Sequence, residues 1–154
     1  MNNHSIVSLF NDRRSMYSIQ LRLNQNVFYR YCVIPSGFEQ RQVINYLVNS
    51  LHVTEEAIES ISKCKDVFVL SNLVDKRIEI DNGFIDSYWI DIIEYVLEVH
   101  KQENIRTYHL VVGMDTNEQV LKKEIRKYFH EESIYLDVFR EGWLMRDETI
   151  INLE

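Results

Sequence analysis

The chain has 154 residues, with 17 Lys and Arg against 24 Asp and Glu, a net charge of −7, two Cys, four Gly and one Pro. With 45% hydrophobic and 12% aromatic residues it carries enough apolar surface to offset chain entropy, which excludes disorder as the main state. Two cysteines inside apolar segments, Cys32 and Cys64, exclude a disulfide scaffold, and no run approaches the roughly 18 consecutive apolar residues of a membrane span.

A length of this order fits one domain. Residues 1–16 read as a polar N-terminal arm without a leader pattern, and 17–154 as a single α/β domain. From Tyr17 to Leu23 apolar and polar residues alternate, as in a half-buried strand. Asn24, Gln25 and Asn26 are turn residues and Val27 to Ile34 is β-type again, so the pair reads as a hairpin. Pro35 closes it, and Ser36 with Glu39 fits a capping box opening a helix to about Leu51. Thr54, followed by Glu55 and Glu56, predicts a second, short helix ending near Cys64. Asp66–Leu70 reads as a buried strand paired with Lys76–Ile80, before Asp81-Asn82-Gly83 breaks the chain.

The recurrence of Ile85, Trp89, Ile92, Ile93, Val96 and His100 predicts a long helix from Ile85 to Lys101, with Asp91, Glu94 and Glu98 on its outer face. Arg106–Val112 is the next strand, ended by Gly113, and Thr116–Gln119 caps a helix that turns Val120, Leu121, Ile125, Tyr128 and Phe129 inward. Ser133–Phe139 reads as a strand, Glu141-Gly142 as a turn, Trp143–Met145 as its return, and Thr149–Leu153 as an edge strand. The order ββααββαβαββ predicts an α/β or α+β two-layer sandwich, a mixed β-sheet with about four helices. No internal repeat is visible.

Chemistry is sparse. Gly37, Gly83, Gly113 and Gly142 are isolated, so neither a phosphate-cradling loop nor a dinucleotide fingerprint exists, and no cofactor is expected. His4, His52, His100, His109 and His130 are too scattered to chelate a metal from one helix. On a helix, Glu98 and His100 point about 200° apart and cannot act together. Cys64, between Lys63 and Lys65, has a more activating setting than Cys32, but both read as ordinary thiols. His52-Val53-Thr54 has the His-x-Thr form of two-histidine phosphoesterases without the second copy that their acid–base pair needs. His109 lies on a strand just before Gly113, where open α/β sheets bind ligands, with Thr107 on its side and Arg106 and Tyr108 on the other.

The acidic set carries the main expectation. Residues 67–104 hold three basic and eight acidic side chains, a balance of −5. Such a segment repels nucleic-acid backbones and steers a protein partner with a basic surface. The candidate partner-binding residues are Asp75, Glu79, Asp81, Asp86, Asp91, Glu94 and Glu98 for charge, with Tyr88, Tyr95 and Trp143 as aromatic anchors. The expected function is a cytoplasmic, non-catalytic acidic module that neutralises a basic, nuclease-like partner, as a toxin-immunity or phage-encoded inhibitor protein does. A single alanine, Ala57, beside seventeen Ile suits an AT-rich bacterial or phage gene. The alternatives are a small hydrolase or transferase with a site around His109 or His52, and a structural or adaptor subunit that forms a homodimer.

Overall fold

The structure is a computed structural model that describes residues 10–77, 84–130 and 132–146, the side chains of 84 and 86 excepted. Its elements are β1 (Arg13–Leu23), β2 (Asn26–Pro35), α1 (Gln40–Leu51), β3 (Ile58–Val69), β4 (Trp89–Lys101), β5 (Asn104–Gly113), α2 (Glu118–Arg126) and β6 (Ser133–Met145). These strands close into a barrel in the order β1-β2-β6-β4-β5-β3. β1 pairs antiparallel with β2 and β3, and β4 pairs antiparallel with β5 and β6. Two short parallel seams join the halves: Cys32–Trp143 with Val33–Leu144 between β2 and β6, and Phe68–Leu110 with Val69–Val111 between β3 and β5.

Each half is a hairpin, a helix and a strand, so the chain repeats itself in three dimensions. From β1 into α1 residues correspond at an offset of 78: Tyr95 after Tyr17, Leu110 after Cys32, and the N-cap Asn117 after the N-cap Glu39. The third strands correspond at an offset of 75, Trp143 standing where Phe68 stands. The first hairpin turns on Asn24 and Gln25, both with positive φ (52° and 71°), as a two-residue turn between twisted strands requires. Gln102, at φ 56°, does the same for the second.

Alternation along the strands sorts the apolar residues into three cores. Met16, Val33, Val67, Val69, Ile90, Ile92, Val111 and Leu144 fill the barrel. Outside it, Tyr17, Ile19, Cys32 and Ile34 pack under Val43 and Leu47 of α1. Tyr95, Leu97, Leu110 and Val112 pack under Leu121 and Ile125 of α2, the counterparts of Val43 and Leu47. Phe10 docks on this last cluster, its ring stacked 4.4 Å from Tyr108.

This architecture corrects the expected two-layer sandwich with about four helices: the sheet is a closed barrel, and the described residues contain two α-helices. The helix expected after Thr54 is one 3-10 turn, Glu55–Ala57, followed by β3, and the helix expected over Ile85–Lys101 is a 3-10 turn, Phe84–Ser87, followed by β4. The β4 segment is rich in β-branched and aromatic residues on both faces, which a barrel strand under a helix needs because one face fills the interior and the other the helix interface. The β3 segment is mostly polar as far as Asp66 and is held as a strand by its pairing with β1. The Glu141-Gly142 turn is absent, since β6 runs unbroken through it. The α1 cap is Glu39 with Gln42 in place of Ser36 with Glu39. β1 begins at Arg13, inside the segment read as the arm. Lys76 and Arg77 form no strand, while residues 78–80 and 149–153 lie outside the described residues. Among the described residues no helix is long and apolar enough to cross a membrane.

Two predictions follow from this packing. A Cβ on Gly142 would lie 2.7 Å from the Tyr31 carbonyl oxygen and 3.3 Å from Ile92 Cδ1, so the β2–β6 seam would have to part. Gly142→Ala is expected to destabilise by about 1–3 kcal/mol, read as a lowered urea midpoint. The second concerns Glu124 on α2, whose carboxyl is held below its ordinary range by Lys127 and then Asn72, against an opposing effect of burial. A depressed carboxyl pKa stabilises the fold above the unfolded value and ceases to do so as pH falls through the folded value. The stability lost in Glu124→Gln should therefore be full at neutral pH, begin to shrink only as pH nears the ordinary glutamate value of about 4.3, and vanish only below the lower folded value.

Candidate functional site

β4 carries Ile90, Ile92 and Glu94 on the face that fills the barrel, so the alternation places a carboxylate where its neighbours are aliphatic. Glu94 is 0% exposed. It lies beside a bulge, because Glu94 faces Arg140 and Tyr95 faces Val138, leaving Phe139 as the extra residue of β6. The other half has the same device: Met16 faces Lys65, Tyr17 faces Lys63, and Cys64 is extra. Met16 and Glu94 are thus counterparts, as are Lys65 and Arg140, and Tyr31 and His109.

Three nitrogens converge on the Glu94 carboxylate. Lys65 Nζ lies 2.5 Å and His109 Nδ1 2.7 Å from Oε2, and Arg140 Nε lies 3.2 Å from Oε1. A carboxylate can only accept at these separations, which assigns the Nδ1 proton to His109. The 3.2 Å approach of Lys65 Nζ to the same Nδ1 is then a contact between two donors that share Oε2. The Arg140 N–H does not line up with Oε1, so this buried oxygen accepts no hydrogen bond among the described residues despite the ion pair. The Lys65, His109 and Arg140 side chains remain 20%, 29% and 22% exposed.

Rings hold these nitrogens in position. The Arg140 guanidinium carbon lies 4.1 Å from the centroid of Tyr31 and 4.1 Å from that of Phe139. Lys65 Nζ is 4.2 Å from Phe139, and the His109 ring meets Phe139 edge-on at 5.9 Å. Such cation–π contacts are worth about 0.5–1 kcal/mol each at exposed sites and more when desolvated. With a neutral imidazole, one carboxylate and two fixed cations leave the cluster with a surplus positive charge. Burying the carboxylate is tolerated because its ion pairs offset the several kcal/mol lost on desolvation.

The acidic face expected of a helix does not form. On strand β4, Asp91 and Glu94 are three apart and point to opposite sides of the sheet. Glu98 shares the face of Glu94 and pairs with His100 at 3.0 Å, an interaction that helical geometry would have forbidden. Tyr95 is buried under α2, and Tyr88 is half-buried edge-on to Tyr46. Trp143 packs 5.7 Å from Trp89, with the Arg30 guanidinium over its ring. Asp75 is exposed and bonded to Arg77, which lowers its carboxyl to about 2. With Asp91 it lines a cavity of about 630 Å³ where β4 begins and β5 ends. Glu79, Asp81 and the side chain of Asp86 lie outside the described residues.

His52 is the left-handed C-cap of α1, φ 53°, remote from the cluster. Cys32 is buried, which pushes its thiol up, and Cys64 is exposed at the bulge. Among the described residues no group of His, Cys, Asp and Glu is arranged to hold a metal ion. Of the residues singled out in the sequence, Glu94 and His109 meet in one site. Lys65, Arg140, Tyr31 and Phe139 had no signal beyond being charged or aromatic on strands. No family model, no curated protein and no solved structure matches this chain.

Replacing the buried carboxylate tests the cluster. Glu94→Gln keeps the shape and leaves Lys65 and Arg140 facing each other without a counter-charge. Because both retain some water, the expected loss is about 2–3 kcal/mol, below the roughly 3–5 of a wholly buried broken pair, measured by urea unfolding.

Proposed function

We propose that the chain binds a small anion at the mouth of its barrel and that His109 exchanges a proton with the bound molecule, the chemistry of a small hydrolase or transferase. One observation carries this reading: Lys65, His109 and Arg140 surround the buried carboxylate of Glu94 and all three remain partly open to solvent. An ammonium has three donors and a guanidinium five, so Glu94 leaves most of them over, and an anion would both use them and neutralise the surplus charge. With Nδ1 donating to Glu94, the lone pair on Nε2 is the proton acceptor. Glu94 would then keep the imidazole in that tautomer and stabilise the imidazolium once formed. Two free thiols, one of them exposed, fit a reducing cytosolic setting.

The reading as an acidic module that occludes a basic protein keeps the net charge of −7 as its support. It no longer has a helical face of carboxylates, since Asp91 and Glu94 are on opposite sides of a strand.

The test is titration of the whole chain with inorganic phosphate, sulfate and acetate, followed through backbone amide shifts. Saturable shifts centred on His109 and Arg140 are expected, with at least one anion binding below about 1 mM. Lys65→Met and Arg140→Met should each weaken that binding by about tenfold, the loss of one charge-assisted contact. Failure of all three anions to saturate would sink the reading.

A further inference from the structure

The walls around the cationic mouth narrow the chemistry of what it takes. We infer, building on the anion reading above, that the ligand is an aromatic anion whose charge sits at one end and whose ring packs on Phe139 and Tyr135.

Three observations converge on this. The first is the setting of Arg140. Tyr31 and Phe139 each lie 4.1 Å from the guanidinium carbon, so the cation is flanked by two rings. An anionic group that reaches this cation arrives beside the Phe139 ring. The second is Phe139 itself. It is the extra residue of the β6 bulge and is 48% exposed, although its ring already touches Lys65, Arg140 and His109. A bulge re-aims a side chain, and here it turns an apolar ring toward the cations and solvent together. The third is the inner face beyond the mouth. Register sets Tyr135 opposite Glu98, Ile105 opposite His100, and Tyr29 opposite Gln20, on the faces of β4 and β1 that carry Glu94 and Met16. Tyr135 is 56%, Ile105 60% and Tyr29 63% exposed. The inner face further along the strands from Lys65 and Arg140 thus presents exposed rings and an aliphatic side chain, Tyr135 on the same strand as Phe139.

The same face bears carboxylates. Asp137 lies opposite Val96, and Glu98 lies two residues further along β4. They repel a second negative group, so a ligand with charge at both ends, or a polyanion, is disfavoured, while one with an anionic head and an uncharged ring meets no like charge.

The test compares phenyl phosphate with methyl phosphate, which has the same head and no ring, on the whole chain by calorimetry. Phenyl phosphate should bind about tenfold more tightly, from ring packing plus burial. Phe139→Ala should bring the ratio of the two affinities from about ten to about one. Because Phe139 also packs against Lys65, Arg140 and His109, the variant weakens methyl phosphate as well, and the ratio rather than either affinity is the readout. Nuclear Overhauser contacts from the phenyl protons to Phe139 or Tyr135 in the unmutated chain supply a readout independent of the variant's folding. Equal affinity for the two esters, or an advantage that survives Phe139→Ala without those contacts, overturns the inference and leaves the anion site standing. If neither ester binds, the anion site and this inference fall together.

Discussion

The barrel is closed by two parallel seams of two residue pairs each, and this closure governs everything built on it. Barrel diameter shrinks as strand number falls, so six strands enclose a narrow interior, and each inward position must be filled by apolar atoms or by polar atoms whose partners come with them. Val33, Leu144, Val69 and Val111, the inward residues of the seams, meet that demand with branched aliphatic groups. Gly142 meets it by having no side chain where the Tyr31 carbonyl comes close. Beyond the seams neither β2 with β6 nor β3 with β5 continues its pairing. The inner faces there are free to carry the exposed Tyr29, Ile105 and Tyr135.

Duplication explains why the polar cluster forms where it does. The two halves supply equivalent positions, and in a symmetric barrel Lys65 and Arg140 would face each other across Met16 and its counterpart. Substituting a carboxylate at only one of the two inward positions, Glu94, gives both cations the same counter-ion. The second asymmetry is His109, where the first half has Tyr31. An imidazole can donate to the carboxylate and still offer a second nitrogen, whereas the phenol ring instead lies against the guanidinium. Two exchanges on an otherwise repeated frame thus turn a plug of the barrel into a group of donors with unused capacity.

The caps of α1 and α2 are Glu39 and Asn117, where the sequence pointed to boxes opening at Ser36 and Thr116. The first hairpin was legible because it depends on local chemistry: the alternation of Tyr17–Leu23, the turn at Asn24 and Gln25 and the run before Pro35 lie within a few residues of one another. The segment Trp89–Lys101 was not, since its apolar residues satisfy a helical spacing as well as a two-faced strand, and only the helix packed outside the barrel decides between them. β3 was obscured by its register shifts opposite Met16/Tyr17 and Gln20/Leu21, which break its alternation. The repeat was hidden for a related reason. Counterparts keep burial but seldom identity: Val43 answers Leu121, and Met16 answers Glu94. His109 stood out as a histidine on a strand. Glu94 stood out only as a carboxylate on an expected helix face, and its meeting with His109, Lys65 and Arg140 was not legible, because these residues are joined only by pairing across β1, β4 and the bulges.

The overall charge of −7 and the local surplus of positive charge act in the same direction. An acidic surface repels polyanions at long range, where screening in salt leaves only a Debye length of about 8–10 Å in play. Inside that distance the nearest groups decide, and at the mouth these are Lys65 and Arg140 with their carboxylate held out of water. Low-dielectric walls strengthen short-range attraction, so rings around a cation pair make a small anion's contacts count for more than they would on an open surface. On the proposed reading, net charge disfavours large anionic partners while Lys65 and Arg140 favour a small anionic group. A strongly acidic chain can still gather two cations and an imidazole around one buried carboxylate.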